Sequence, residues 1–100
     1  MKTTVQEIDG RLVAQLSGEL DTVAAAETEK AFQPLFDSEG KEVVIDCTEL
    51  EYIASSGLRI LVNLLKVTQA KGGRLILKNV NDVIRDVFEL TGLVSVFEFE

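Results

Sequence analysis

The 100-residue sequence contains no histidine, one cysteine and one proline. Without histidine the chain lacks the commonest general base, the commonest zinc ligand and the usual pH switch, which excludes most hydrolase sites. The single cysteine, Cys47, has no second cysteine to pair with, so nothing indicates a disulfide or an oxidising compartment. We therefore expect neither enzymatic activity nor a cofactor.

Basic residues and long apolar runs are also scarce. Lys and Arg number 10 against 17 Asp and Glu, which gives a net charge of −7, and the basic residues form no cluster. Nucleic acids and anionic membranes attract basic surfaces, so we expect the protein to bind no nucleic acid and to make no direct membrane insertion. No uncharged apolar stretch approaches the ~20 residues of a membrane-spanning helix, and the N-terminal segment lacks the apolar core of a signal peptide. The expected location is cytoplasmic.

The residues that are present alternate between strand and helix patterns within what we expect to be one domain, residues 1–100. Asp9-Gly10 lies between two β-type runs and predicts a hairpin with a type I′ turn. Asp21 and Asn81 are predicted helix N-caps, and Pro34 is expected to interrupt the first helix. The predicted strands are 3–8, 11–16, 42–46, 74–78 and 94–99.

This order of elements, β-β-α-β-α-β-α-β, predicts an α/β fold. We expect a small mixed sheet of about five strands, with an N-terminal β-hairpin followed by alternating helices and strands, backed by three main helices. In such sheets, sites lie on the loops that leave the carboxyl ends of the parallel strands. Those loops contain segments 17–21, 47–56 and 78–81.

The most informative of these loops precedes the second helix, in the stretch VVIDCTELEYIASSGLRILVNLL (43–65). Ser55 and Ser56 lie where the loop meets the start of the helix, a place where a protein can bind an anion or carry a phosphate at low cost. A purely structural interpretation is that the serines cap the helix, which is worth about 1 kcal/mol. Both interpretations are open on the residues alone.

Segment 46–58, DCTELEYIASSGL, resembles the signature of STAS domains, the family of sulfate-transporter and anti-sigma-factor-antagonist domains. Two further segments resemble that family in the correct order: GELD at 18–21 and ELTGL at 89–93. The resemblance therefore covers essentially the whole chain. It implies the STAS fold and, for a small single-domain bacterial member, the function of an anti-sigma factor antagonist.

The resemblance also implies a mechanism. The unphosphorylated antagonist binds an anti-sigma factor with serine kinase activity, is switched off when that kinase phosphorylates it, and is reset by a serine phosphatase. By motif, the phosphoacceptor is Ser55. The expected partner-binding residues are Asp21, Ser55, Ser56, Gly57 and Arg59. Gly57 allows close approach of another backbone, and Arg59, one helical turn along, is placed to reach a phosphate.

One position departs from the family pattern, because Ala54 stands where the family has an aspartate before the acceptor serine. Loss of that carboxylate favours an alternative function: a non-phosphorylated STAS adaptor subunit, for example of a transporter complex. An enzyme is the third hypothesis and is disfavoured. The segment around Ser55 lacks the Gly-x-Ser-x-Gly elbow, and the chain has no histidine to activate a serine.

Overall fold

The computed structural model describes residues 1–100 and contains one five-stranded mixed sheet with the strand order β1-β2-β3-β4-β5. The first two strands pair antiparallel, and all other pairs are parallel. The predicted α/β fold with an N-terminal hairpin is confirmed. The strands are β1 (Lys2–Ile8), β2 (Arg11–Leu20), β3 (Glu42–Ile53), β4 (Arg74–Lys78) and β5 (Glu98–Phe99).

Because the spatial order of the strands equals their chain order, every parallel connection steps in the same direction. Such connections are right-handed, so the helices lie together on one face of the sheet. The helices are α1 (Thr22–Ala31), α2 (Gln33–Phe36), α3 (Ser55–Ala70) and α4 (Asp82–Leu90). The longest is α3 with 16 residues, and neither it nor the others could span a bilayer. The three main helices of the prediction are α1, α3 and α4.

Local sequence signals account for most turns. Asp9 and Gly10 have φ values of 53° and 78°, as a type I′ turn requires. The predicted interruption of the first helix occurs: α1 ends at Ala31, and Pro34 lies in the first turn of the four-residue α2. Proline is tolerated there because amides of a first helical turn have no intrahelical acceptor.

Three predicted strand boundaries are wrong. Strand β2 does not end at 16 but continues to Leu20, through most of the segment predicted as a loop. Strand β3 likewise does not end at 46 but continues to Ile53, through the segment predicted as a loop, with Leu50 and Ile53 buried. The final strand is only Glu98–Phe99, because residues 94–97 form a turn in which the amide of Val96 donates to the carbonyl of Leu93 (3.0 Å).

The core lies between the sheet and the helices and contains 22 buried residues. Helix α3 contributes much of it through Leu58, Leu61 and Leu64, which pack against the sheet. Near the last strand, Phe88 makes an edge-to-face contact with Phe97 at a centroid distance of 5.3 Å. Because α3 is anchored along its length, its first residues are held at the carboxyl edge of the sheet.

Candidate functional site

The β3–α3 junction is a single residue, Ala54, between the end of β3 and the start of α3. The amide of Ala54 donates to the carbonyl of Leu20 (2.9 Å), and its carbonyl accepts from the amide of Leu58 (3.0 Å). Ile53 is also in register with Leu20 in the sheet. The junction is therefore tied to the last residue of β2 and has little freedom to move.

Ser55 is the first residue of α3 and is exposed to solvent. Its hydroxyl is thus accessible to a modifying enzyme. The neighbouring Ser56 is half-buried, and its Oγ lies 3.5 Å from Oγ1 of Thr22 at the start of α1. That contact brings the N-termini of α1 and α3 side by side at one edge of the sheet.

The interpretation that Ser55 or Ser56 caps α3 is wrong. The N-cap position belongs to Ala54, whose extended backbone (φ −90°, ψ 169°) suits a cap but whose side chain has no acceptor. Helix α3 also has no acidic residue in its first turn. Its free amides and the positive end of its dipole therefore lie next to an exposed serine hydroxyl, without a side chain that neutralises them.

Asp21 has a capping role in the neighbouring helix. Its Oδ1 accepts a hydrogen bond from the amide of Ala24 (2.8 Å), which confirms it as the N-cap of α1. Asp21 also borders a cavity of about 380 Å³ beside the site, together with the carboxylates of Glu19, Glu27 and Glu51. This side of the site is therefore strongly acidic.

Gly57 lies beneath the surface, and the close approach predicted for it is made within the chain. A Cβ atom at this position would lie 2.7 Å from Cγ of Leu20 and 3.0 Å from Cγ1 of Ile53. A glycine is needed here because α3 packs directly on the ends of β2 and β3. The structure thus places Leu20, rather than a partner's backbone, in the space that a side chain would fill.

Arg59 is exposed and four residues after Ser55, which places both side chains on the same side of α3. It takes part in none of the ion pairs of the structure. A guanidinium without a carboxylate partner is therefore available one helical turn from the serine hydroxyl.

Comparison with known proteins identifies the family. The model of the STAS domain matches residues 2–100 of the sequence. The chain belongs to the STAS domain family.

Two of its relatives are named as anti-sigma factor antagonists. It is 35% identical over 97 residues to BtrV of Bordetella bronchiseptica, which is named as a candidate anti-sigma factor antagonist; the match covers 97% of this chain and 84% of BtrV. A crystal structure of an anti-sigma factor antagonist from Mycobacterium paratuberculosis is 30% identical with a TM-score of 0.87, over 98% of this chain and 83% of that one. The structure of the Bacillus cell fate determinant SpoIIAA in its phosphorylated form is 23% identical, with a TM-score of 0.75. The match covers 99% of this chain and 91% of SpoIIAA, so the two share the fold.

Two exposed apolar side chains of this STAS domain were missed in the sequence analysis. Val23, in the first turn of α1, is 87% exposed, and Tyr52, near the end of β3, is 46% exposed. Tyr52 is in register with Glu19, and Val23 borders the same acidic cavity as Glu19. The sequence signal that could have revealed Val23 was an apolar residue only two positions after the predicted N-cap, Asp21.

Two residues of β3, Asp46 and Cys47, have shifted pKa values. Burial alone would raise the pKa of Asp46, but hydrogen bonds from the hydroxyl and amide of Thr48, with Asn79 and the charge of Lys78, lower that pKa overall. Burial, with the nearby charge of Asp46, raises the pKa of the Cys47 thiol to about 12. Cys47 is therefore a protonated, buried residue, as expected from its place in an apolar run.

Proposed function

We propose that this STAS domain is an anti-sigma factor antagonist switched by phosphorylation at Ser55. In its unphosphorylated form the domain binds an anti-sigma factor with serine kinase activity. That partner phosphorylates Ser55, and the phosphorylated domain no longer binds it. A serine phosphatase restores the binding form. The observation that carries the proposal is an exposed serine at the uncapped N-terminus of α3, in register with the family motif.

The names of the relatives support this proposal. The Mycobacterium protein is called an anti-sigma factor antagonist, and SpoIIAA has been solved in a phosphorylated form. We place the domain in the cytoplasm and propose that it acts by binding, without turnover of a substrate.

The site suits a phosphate. Phosphorylation adds about 1.5 to 2 negative charges and three acceptor oxygens. On Ser55 these oxygens would face the free amides at the start of α3, where Ala54 supplies no competing carboxylate. Arg59 lies one turn further along the same side of the helix. The phosphate would therefore take the place of the missing cap, and the domain would stay folded.

The surroundings of Ser55 suit a protein partner. Val23 and Tyr52 present apolar surface at the same edge, and such surface is stabilised when a partner excludes water from it. A phosphate on Ser55, at the same edge of the sheet, would have to lose its hydration when a partner covers it, which opposes binding. We propose Asp21, Ser55, Ser56 and Arg59 as partner-binding residues, while Gly57 acts indirectly by setting the approach of α3 to β2.

The experiment that tests the proposal uses the cognate anti-sigma factor and ATP with three proteins: wild type, Ser55→Ala and Ser56→Ala. Phosphate is expected on the wild type and on Ser56→Ala, and not on Ser55→Ala. Ser56→Ala is the matched control, since it removes a hydroxyl one residue away. Equal labelling of Ser55→Ala and wild type would contradict the assignment of the switch residue.

Ala54 favours a second candidate, an adaptor STAS subunit of a transporter complex that is never phosphorylated. The absence of the family's aspartate before Ser55 is the specific observation behind it. Affinity capture from cells separates the two. Recovery of a transporter component without a serine-kinase anti-sigma factor would support the adaptor and contradict the switch.

A further inference from the structure

Strand β3 extends beyond its neighbour β4. The pairing of β3 with β4 ends where Asp46 faces Lys78, whereas β3 continues to Ile53 paired only with β2. Residues 47–53 therefore have no strand on their second side. This one-sided segment leads through Ala54 directly to Ser55, so it contributes to the position of the serine at the point where the chain enters α3.

The pairing of this segment with β2 is itself irregular. The register shifts twice, between Gln15 and Ser17 and between Gly18 and Glu19. At each shift β3 carries one residue more than β2, first within Cys47-Thr48 and then at Glu51. Such bulges bend a strand, increase its twist and interrupt its hydrogen-bond ladder.

Two asparagine side chains from the β4–α4 loop contact the segment on its open side. Asn79 Nδ2 donates to Oγ1 of Thr48 (2.9 Å), and Asn81 Nδ2 donates to the carbonyl of Leu50 (3.1 Å). The hydroxyl of Thr48 in turn donates to Oδ1 of Asp46. Asn79 contacts the first bulge, and Asn81 contacts the residue just before the second.

Both asparagines are held in place by other interactions. Asn79 has φ +59°, a left-handed conformation that asparagine adopts more readily than most residues. Asn81 Oδ1 accepts from the amide of Ile84 (2.9 Å) and caps α4. One side chain thus joins the start of α4 to the end of β3.

We propose that Asn79 and Asn81 form a clamp, the asparagine clamp, that holds the bulged end of β3 and thereby positions Ser55 for phosphorylation. Neither asparagine touches the reacting hydroxyl, so both are positioning residues. The part of this proposal that concerns phosphorylation rests on the proposed function. The part that concerns β3 rests on the geometry alone.

The variants are chosen to separate the clamp from other roles of the same residues. Asn81→Asp keeps an oxygen that caps α4 and removes the donor to Leu50. Thr48→Val keeps the shape of the side chain and removes the hydroxyl that contacts both Asn79 and Asp46, so Asn79→Gly is needed to remove the contacts of Asn79 alone. Thr48→Ser retains that hydroxyl and is the matched control. Asn79→Gly keeps the left-handed backbone and removes the amide.

The first measurement is hydrogen exchange of the backbone amides in 47–54. We expect exchange there to be about 10-fold faster in Asn81→Asp, Asn79→Gly and Thr48→Val, since the net contribution of one hydrogen bond corresponds to a change of this order. Exchange within α3 is expected to stay unchanged, and Thr48→Ser is expected to match the wild type. Unchanged exchange at 47–54 in Asn79→Gly and Asn81→Asp would overturn the clamp.

The second measurement is phosphorylation of Ser55 by the cognate anti-sigma factor, with kcat and KM determined separately. A positioning role predicts a lower kcat with little change in KM, because the docking residues Asp21, Val23 and Arg59 lie at the start of α1 and on α3, outside the clamped segment. Recovery is expected in Thr48→Ser. Faster exchange without a change in kcat would overturn the positioning role. If the wild type is not phosphorylated, the proposed function fails, and the exchange measurement still decides whether the clamp holds β3.

Discussion

Gly57 decides how closely α3 approaches the sheet, and it gives the sharpest prediction for a single residue. In a helix interior, replacing glycine by alanine is normally favourable by about 0.5–1 kcal/mol. Here the new Cβ would lie 2.7 Å from Cγ of Leu20. We expect Gly57→Ala to lower the free energy of unfolding by about 1–3 kcal/mol, the usual range for overpacking, in urea titrations.

A double-mutant cycle provides the control. In a Leu20→Ala background the clash with Leu20 is removed and only the approach to Ile53 remains, so Gly57→Ala should cost less than in the wild type. If Gly57→Ala were as stable as the wild type, the tight packing of α3 on Leu20 would be refuted.

Asp46 makes stability depend on pH. Its pKa is lowered in the folded state, so its contribution is present above the unfolded pKa of about 3.8 and is lost as the pH falls through the folded pKa. Asp46→Ala should therefore be less stable than the wild type at pH 7, and the difference should shrink as the pH falls below about 4.

Urea titrations between pH 3 and 7 measure this difference. Asp86→Ala, which removes an exposed carboxylate on α4, is the matched control for the loss of one surface charge. A difference between Asp46→Ala and wild type that is equally large at pH 3 and pH 7 would refute the account of Asp46.

Helix α3 differs from its neighbours at its N-terminus. Asp21 caps α1 and Asn81 caps α4, whereas Ala54 leaves α3 without a side-chain cap. Ala54→Asp should therefore raise the free energy of unfolding of the unmodified domain by about 1 kcal/mol, the typical value of an N-cap. Urea unfolding measures the gain.

The same carboxylate placed at the other end of the helix is the control. Ala70 is the last residue of α3 and is exposed, so Ala70→Asp places a negative charge at the negative end of the dipole. It should slightly destabilise the domain. Equal effects of the two substitutions would show that the N-terminus of α3 is not short of a cap.

The elements that could be predicted from sequence are those fixed by local chemistry. Asp9-Gly10 requires its turn type, and Pro34 cannot continue α1, whatever the rest of the fold. The length of β3 could not be predicted, because two bulges interrupt the alternation of buried and exposed residues that signals a strand. The alternating pattern of 94–99 was misleading, because Phe97 is buried against Phe88 while the chain turns.

The candidate site also has a part that could be predicted from the sequence and a part that could not. The place of Ser55 followed from a local motif, and its exposure agrees with the role that motif implies. The clamp could not be predicted, because nothing in the sequence reveals that the amides of Asn79 and Asn81 lie beside β3. The internal role of Gly57 also depends on Leu20, 37 positions earlier in the chain.

In the whole molecule, one sheet with helices on a single face brings the N-termini of α1, α3 and α4 to the carboxyl edge of the parallel strands. Ser55, the asparagine clamp and the exposed Val23 and Tyr52 lie at that edge, while the core lies between the sheet and the helices. A phosphate on Ser55 would therefore change the surface that a partner meets without disturbing the core.

The central claim is that a phosphate on Ser55 abolishes binding of a partner without unfolding the domain. The most direct measurement is calorimetric titration of the cognate anti-sigma factor with the unmodified domain and with the domain phosphorylated at Ser55. We expect the phosphorylated form to bind at least about 100-fold more weakly, a difference of about 2.7 kcal/mol, with unchanged circular dichroism. Equal affinities of the two forms, or tighter binding of the phosphorylated one, would contradict the account.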